Sequence, residues 1–159
     1  QFPFATVLHC IDSRVSAELV FDQGIGDLFS IRIAGNFIND DILGSMEFAT
    51  KLAGTKVLMV LGHTHCGAVK GACDHAELGN LTQMLAKITP IVDEFEGDYN
   101  VKGSQNADLV QKVAEVNVMR SIDAIRQKSA VIRDMEDKGE LKLVGGMYDI
   151  KTGKVEFYS

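Results

Sequence analysis

Short runs of continuously apolar residues recur along the chain and alternate with longer segments in which apolar residues return every three or four positions. Continuous apolar runs are typical of strands buried on both faces, whereas the periodic segments are typical of amphipathic helices. The pattern predicts strands at residues 5–10, 28–33, 56–61 and 141–148. Because buried strands that alternate with helices pair in parallel, we expect a sheet that is covered on both faces.

The segments between the strands carry the helical spacing, and their ends coincide with residues that start or stop helices. Residues 39–41 offer cap-type side chains before an apolar face that includes Phe48 and Leu52 and ends at Gly54. Helices are predicted at residues 15–21, 42–53, 78–95, 107–128 and 130–138, with Pro90 marking a kink or a break in the third.

Together these elements predict one α/β domain over residues 1–159, with a mainly parallel four-stranded sheet flanked by helices and an additional antiparallel edge strand. The edge strand follows a hairpin turn with Gly153 at its left-handed position. With 159 residues, 46% of them apolar, the chain can bury one core of ordinary size. Because the sequence starts at Gln1 and enters the first strand almost at once, we expect an upstream segment to be missing from it.

A formal net charge of −6 argues against a general nucleic-acid binder, because contacts to phosphates need a concentrated basic face, and the sequence shows none. No apolar run approaches the roughly 18 to 20 residues of a membrane-spanning helix, so we expect no membrane span. For the compartment we expect the cytoplasm by default, or the periplasm if the missing N-terminus carries a signal peptide.

The chain contains three cysteines, an odd number that makes a poor disulfide framework for a domain of this size. Cys10 and Cys66 have His, Asp or Arg residues close to them in the sequence, which favours metal or thiolate chemistry. Cys73 lies between Ala72 and Asp74, and we interpret it as a helix thiol without a function.

Two of these cysteines and one histidine can form a single metal site. Cys10 ends the first predicted strand, His63 ends the third, and Cys66 follows at the start of the next helix. Ligand sites of open parallel sheets form outside the carboxyl ends of the strands, so these residues can meet although they are distant in sequence. Two thiolates and one imidazole suit zinc, and they leave a fourth position for water or for Asp12.

Residues 10–14 (CIDSR) and 63–67 (HTHCG) together resemble the two signatures of the β-class carbonic anhydrases, C-x-D-S-R and H-x-x-C-G. The resemblance covers essentially the whole chain and continues through residues 32–36, 44–49 and 62–69. It implies an α/β zinc enzyme that hydrates carbon dioxide reversibly to bicarbonate and a proton. It also implies that the missing upstream segment is an N-terminal helical arm.

The resemblance gives each residue of the two motifs a role. Cys10, His63 and Cys66 would hold Zn²⁺, and a zinc-bound hydroxide would attack carbon dioxide. Asp12, held off the metal by Arg14, would accept a hydrogen bond from the zinc-bound water. In some members of the family the aspartate binds zinc instead, so Asp12 is also a predicted metal ligand in a closed, inactive state. Because two thiolates donate more charge than imidazoles, we expect activity to rise toward alkaline pH.

The resemblance also implies a substrate pocket and an assembly. The family forms homodimers or dimers of dimers, with the cleft at the subunit interface and its glutamine and aromatic residues largely supplied by the partner. A bicarbonate site that some members build around a tryptophan is not expected here, because Val7 occupies that position. The residues that match the substrate pocket are Gln1, Phe29, Ala34, Phe48 and Gly67, with Phe48 in place of the more common tyrosine.

The histidines have alternative interpretations. His65 competes with His63 as a ligand, but only His63 has the three-residue spacing to Cys66, so we place His65 in the wall of the site or in solvent. His9 is expected to take part in packing or to lie on the surface. His75 is expected at a solvated helix end, although a role in proton relay is an alternative.

Other interpretations concern the function itself. Phe29 and Phe48 could belong to the core, and Asp12 and Arg14 could form a structural ion pair that holds their loop. Within the same fold, the zinc site could hydrolyse a related gas, carbonyl sulfide or carbon disulfide. The chain could also be a catalytically silent zinc-binding homologue, in which a protein ligand takes the fourth position permanently.

Overall fold

The strands form one sheet and are β1 (Ala5–His9), β2 (Leu28–Arg32), β3 (Val57–His63), β4 (Lys142–Tyr148) and β5 (Val155–Tyr158). The computed structural model describes residues 1–158 and orders these strands β2-β1-β3-β4-β5. The first four strands pair in parallel, and β5 pairs antiparallel with β4 at one edge. The predicted α/β fold, with four parallel strands and an added edge strand, is confirmed.

The helices around the sheet are α1 (Ala17–Val20), α2 (Asp40–Glu47), α3 (Gly67–Cys73), α4 (Gly79–Leu85), α5 (Thr89–Phe95), α6 (Ala107–Lys128) and α7 (Ala130–Asp137). The side chain of Asn39 caps α2 by accepting a hydrogen bond from the Ile42 backbone N–H at 2.8 Å. Pro90 breaks the segment predicted as one helix into α4 and α5, because it lies in the first turn of α5, where its missing N–H is tolerated.

The apolar face predicted for the second helix is partly wrong. After α2 the backbone continues as a π-helical turn, Phe48–Leu52, in which the Ala53 N–H bonds the Phe48 carbonyl. This wider turn shifts the helical spacing that the apolar pattern assumes. Phe48 is 51% exposed because it lies two positions after the buried Met46, on another face of the helix. Leu52, in the wider turn, is 76% exposed, while Ala49 is buried. No helix among the described residues has both the length and the apolar character needed to cross a bilayer.

The core lies on both faces of the sheet, as predicted, but the two sides differ in size. On one face Leu8 and Leu58 pack in a large cluster with residues of α3, α5, α6 and α7. On the other face Val7 and Leu61 belong to a smaller cluster that includes Ala17 of α1. β1 and β3 are therefore buried neighbours, and their carboxyl ends meet at the same edge of the sheet.

Candidate metal centre

Three candidate ligands, Cys10, His63 and Cys66, come together at the carboxyl edge of the sheet. Their ligand atoms all lie within 4.8 Å of one another, and all three side chains are buried. Cys10 follows β1, His63 is the last residue of the neighbouring strand β3, and Cys66 is the residue before α3. Parallel pairing of β1 with β3 thus produces the convergence that the sequence predicts.

The His63 ring is oriented as a metal ligand would be. Its Nδ1 lies 3.0 Å from the carbonyl oxygen of Thr64, so this nitrogen carries the proton and donates to that carbonyl. Nε2 is left as an acceptor, is fully buried and has no hydrogen-bond partner among the described residues. Buried polar atoms are rarely left without partners, so the ring nitrogen fits a site for a cation.

The two thiols complete a donor set that suits zinc. Their sulfur atoms lie 3.9 Å apart and are not joined in a disulfide. Two sulfurs that share one tetrahedral zinc ion, each at about 2.3 Å, are roughly 3.8 Å apart. The hydrogen bond between the two thiols lowers the pKa of Cys10 and raises the pKa of Cys66 above its ordinary value. A bound divalent cation would favour the thiolate form of both residues.

The carboxylate of Asp12 lies at the edge of this group and is held by Arg14. Arg14 donates from its backbone N–H at 3.0 Å and from Nε at 2.9 Å to Oδ1, and from Nη2 at 2.7 Å to Oδ2. These bonds hold the pKa of Asp12 well below its usual range. The Oδ2 atom is 3.9 Å from Nε2 of His63. An ionised acceptor therefore faces the space next to the candidate ligands.

Hydrogen bonds from the His9 and Arg32 side chains fix the backbone of Cys10. The Cys10 carbonyl accepts from His9 Nδ1 at 3.1 Å and from Arg32 Nε at 3.2 Å, while Arg32 Nη2 donates to the Asp12 carbonyl at 2.9 Å. His9 Nε2 lies 2.7 Å from Ser30 Oγ. His9 is fully buried, so its surface alternative is wrong and its packing alternative is confirmed. Burial, followed by the Arg32 charge, lowers the His9 pKa to about 4 and keeps the ring neutral.

The remaining histidines and the third cysteine lie outside the candidate ligand group. His65 lines a separate cavity of about 340 Å³ with Thr64. His75 has a half-exposed side chain, with Nε2 3.9 Å from Glu96. Cys73 is buried, and burial followed by the Asp74 charge raises the pKa of its thiol to about 11, which leaves it protonated and unreactive.

The residues predicted for the substrate pocket are only partly together. Phe29 and Phe48 pack edge to face, with ring centroids 6.2 Å apart, and line an open cavity of about 660 Å³. Ala34 is half-buried in the turn after β2, and Gly67 is exposed at the first position of α3. Gln1 is exposed and is not among the residues that line this cavity. Their roles toward a substrate stay predictions.

Comparison with known proteins points to one family. A family model described as carbonic anhydrase matches residues 5–155. The chain is 33% identical over 175 residues to a carbonic anhydrase of Mycolicibacterium smegmatis, in a match that covers 100% of this chain and 76% of the relative. It is 31% identical over 154 residues to carbonic anhydrase 2 of Mycobacterium tuberculosis, covering 97% of this chain and 73% of that one.

Solved structures agree with the fold. The β-carbonic anhydrase CcaA superposes with a TM-score of 0.88 at 29% identity, covering 100% of this chain and 81% of that structure. One of two tetrameric β-carbonic anhydrases of Sordaria macrospora gives a TM-score of 0.90 at 21% identity, covering 100% and 82%. At that lower identity the similarity is one of fold.

Proposed function

The chain belongs to the β-carbonic anhydrase family, and from this premise we propose that it catalyses the reversible hydration of carbon dioxide to bicarbonate and a proton at a zinc centre. One observation carries the proposal. The buried group of Cys10, His63 and Cys66 has the donor set of a zinc site that leaves a coordination position open. The ionised Asp12 lies beside this group and forms an ion pair with Arg14.

Cys10, His63 and Cys66 are the residues that would hold zinc. A zinc ion there would supply Lewis acidity, which would lower the pKa of water toward neutrality. The ligands limit how far the pKa of the water would fall, because the thiolates of Cys10 and Cys66 neutralise more of the metal charge than imidazoles do. We therefore expect hydration activity to rise toward alkaline pH.

Asp12 would orient the attacking oxygen. Because its carboxylate is ionised, it can only accept hydrogen bonds, so it would hold a proton-bearing oxygen with a lone pair free for attack. Arg14 occupies both carboxylate oxygens and fixes their direction. The closed state, in which Asp12 itself becomes a ligand, would require these bonds to Arg14 to break.

The cavity beside Phe29 and Phe48 would suit a small nonpolar gas, since the two rings give it aromatic surface. We propose that a second copy of the chain covers it and that the active site lies at the interface of a homodimer or a dimer of dimers. Two exposed apolar side chains support this proposal: Ile11 is 58% exposed beside Cys10, and Phe48, in the wall of the cavity, is 51% exposed.

The test combines metal analysis with a proton-release assay on the purified protein at alkaline pH. We expect one zinc ion per chain and rapid release of protons when carbon dioxide is added. Bound zinc without hydration would overturn the proposal and favour a silent zinc-binding homologue. Turnover of carbonyl sulfide or carbon disulfide, measured in the same preparation, distinguishes the alternative of a related gas.

A further inference from the structure

The turn that follows β2 reaches the sulfur of a candidate metal ligand. The backbone N–H of Gly35 points to Cys10 Sγ, with a nitrogen-to-sulfur distance of 3.4 Å. The turn is closed by a hydrogen bond from the Asn36 N–H to the Ile33 carbonyl at 3.0 Å. Gly35 has a φ of +79°, and a Cβ at this position would lie 2.6 Å from Cδ1 of Ile88. The direction of this N–H therefore depends on a backbone shape that only glycine adopts readily.

A side chain from a distant part of the sequence hydrogen-bonds the same glycine. Nδ2 of Asn117, in the middle of α6, donates to the Gly35 carbonyl oxygen at 2.8 Å across 82 positions of the chain. Asn117 is only 3% exposed, and its neighbours on this face of α6 include the buried Val113 and Val118. A buried amide among apolar residues costs free energy unless it is hydrogen-bonded, so this contact accounts for the polar residue at a core position.

We propose that Asn117 is a positioning residue for the metal centre, which holds Gly35 so that its N–H stays directed at the Cys10 sulfur. This inference rests on the proposed zinc site. Hydrogen bonds to a ligand atom orient the ligand and withdraw charge from it, and the loss of such partners typically lowers metal affinity by about 10- to 100-fold. Asn117 acts through Gly35, so we expect an effect near the lower end, about tenfold.

Two substitutions and one control separate positioning from general stability. Asn117→Leu keeps the size of the side chain and removes the donor, and Asn117→Ala removes the donor with a smaller side chain. The control is Ser121→Ala, one turn further along the same buried face. Ser121 is 5% exposed and donates to the Asn36 carbonyl at 3.4 Å, so it touches the same turn but not Gly35.

Two measurements that do not depend on catalytic activity test the variants. Zinc affinity is measured by competition with a chelator, and the sulfur-to-cobalt charge-transfer band is recorded in the cobalt-substituted protein. We expect both Asn117 variants to bind zinc about tenfold more weakly and to shift the cobalt band, while Ser121→Ala leaves both unchanged. Affinity and band equal to those of the wild type in a folded Asn117 variant would overturn the inference. An equal change in Ser121→Ala would also overturn it.

If neither Asn117 variant folds, the wild-type protein provides the test of the coupling between Asn117, Gly35 and the metal centre. Zinc binding should then shift the NMR signals of both the Gly35 amide and the Asn117 side-chain amide, and unshifted signals would refute the coupling. The proposed function fails separately, because it requires the wild type to bind zinc and to hydrate carbon dioxide. Normal binding and hydration in the wild type, combined with unaffected Asn117 variants, refute the positioning role alone.

Discussion

Asp12 and Arg14 form a two-point ion pair, with Arg14 Nε 2.9 Å from Oδ1 and Nη2 2.7 Å from Oδ2 of the carboxylate. The arginine side chain is 53% exposed, whereas that of Asp12 is 14% exposed and lies 3.9 Å from Nε2 of His63. The pair therefore extends from solvent to the edge of the candidate metal centre. The guanidinium both keeps the carboxylate ionised and fixes its orientation.

Replacing Arg14 should reduce activity without releasing the metal. In Arg14→Gln the pKa of Asp12 returns toward its ordinary value and the carboxylate is free to turn, so we expect kcat/KM for hydration to fall roughly 100-fold. Zinc content should stay at the wild-type level, because Arg14 is not a candidate ligand. Stopped-flow proton release and metal analysis check this. Arg14→Lys keeps the charge but loses the two-point donor geometry of the guanidinium, so its activity should lie between those of the wild type and Arg14→Gln. Wild-type activity in Arg14→Gln would show that the pair is merely structural.

Removing a candidate ligand should release the metal, whereas removing the third cysteine should not. In Cys66→Ala we expect zinc affinity to fall by more than about 100-fold, beyond the loss typical of an outer hydrogen-bond partner. Cys73→Ala is the matched control, because Cys73 is equally buried but lies outside the ligand group. Zinc stoichiometry after dialysis against a weak chelator provides the measurement. Retention of zinc by Cys66→Ala, or its loss from Cys73→Ala, contradicts the assignment of the ligands.

The meeting of Cys10 and His63 was predictable because it depends on topology alone. Each residue ends an apolar run, and the ends of adjacent parallel strands lie at the same edge of a sheet whatever the details of packing. The bounds of α6 were predictable for a similar reason, since helical spacing is a local property of the sequence.

The supporting contacts were not predictable in the same way. The alternation of side chains along a strand directs His9 to the face of the sheet opposite that of Cys10. Whether His9 is buried there depends on which residues cover that face. Asn117 gave a partial signal, because a polar residue at helical spacing from Val113 lies on the buried face of α6. Its partner, Gly35, is 82 positions away and contributes a backbone carbonyl, which no sequence pattern marks.

The ion pair between Arg126 on α6 and Glu136 on α7 should make stability depend on acid pH. Nε and Nη2 of Arg126 each lie 2.8 Å from a Glu136 oxygen, and these bonds lower the Glu136 pKa below its ordinary 4.5. A carboxyl with a lowered folded-state pKa stabilises the fold fully above its unfolded pKa and loses that contribution as pH falls through the folded value.

Glu136→Gln should therefore lower the free energy of unfolding by roughly 0.5 to 1 kcal/mol at neutral pH, and by less at about pH 3. Urea unfolding at both pH values measures the difference between variant and wild type. Glu140→Gln makes the same change of charge at an exposed position and should have little effect at either pH. A difference between wild type and Glu136→Gln that grows as pH falls would have the wrong sign.

A charge at Phe48 should weaken self-association and activity together. Phe48 is 51% exposed yet packs against Phe29 in the wall of an open cavity, which is an unfavourable place for an aromatic ring in an isolated chain. If a second copy covers it, Glu at this position must lose its hydration on association, so Phe48→Glu should be monomeric at concentrations where the wild type is a dimer. Leu78→Glu is the control, because Leu78 is 71% exposed and does not line the cavity.

Light scattering over a dilution series measures the mass, and proton release per bound zinc measures the activity. We expect Phe48→Glu to lose both the dimer and most of its hydration activity while it keeps zinc, since Cys10, His63 and Cys66 all belong to one chain. A monomer with full activity would show that the partner contributes nothing to the cleft. A stable dimer with low activity would instead show that Phe48 acts in a substrate pocket and does not hold the dimer together, because the charge would then act on the gas and not on the interface.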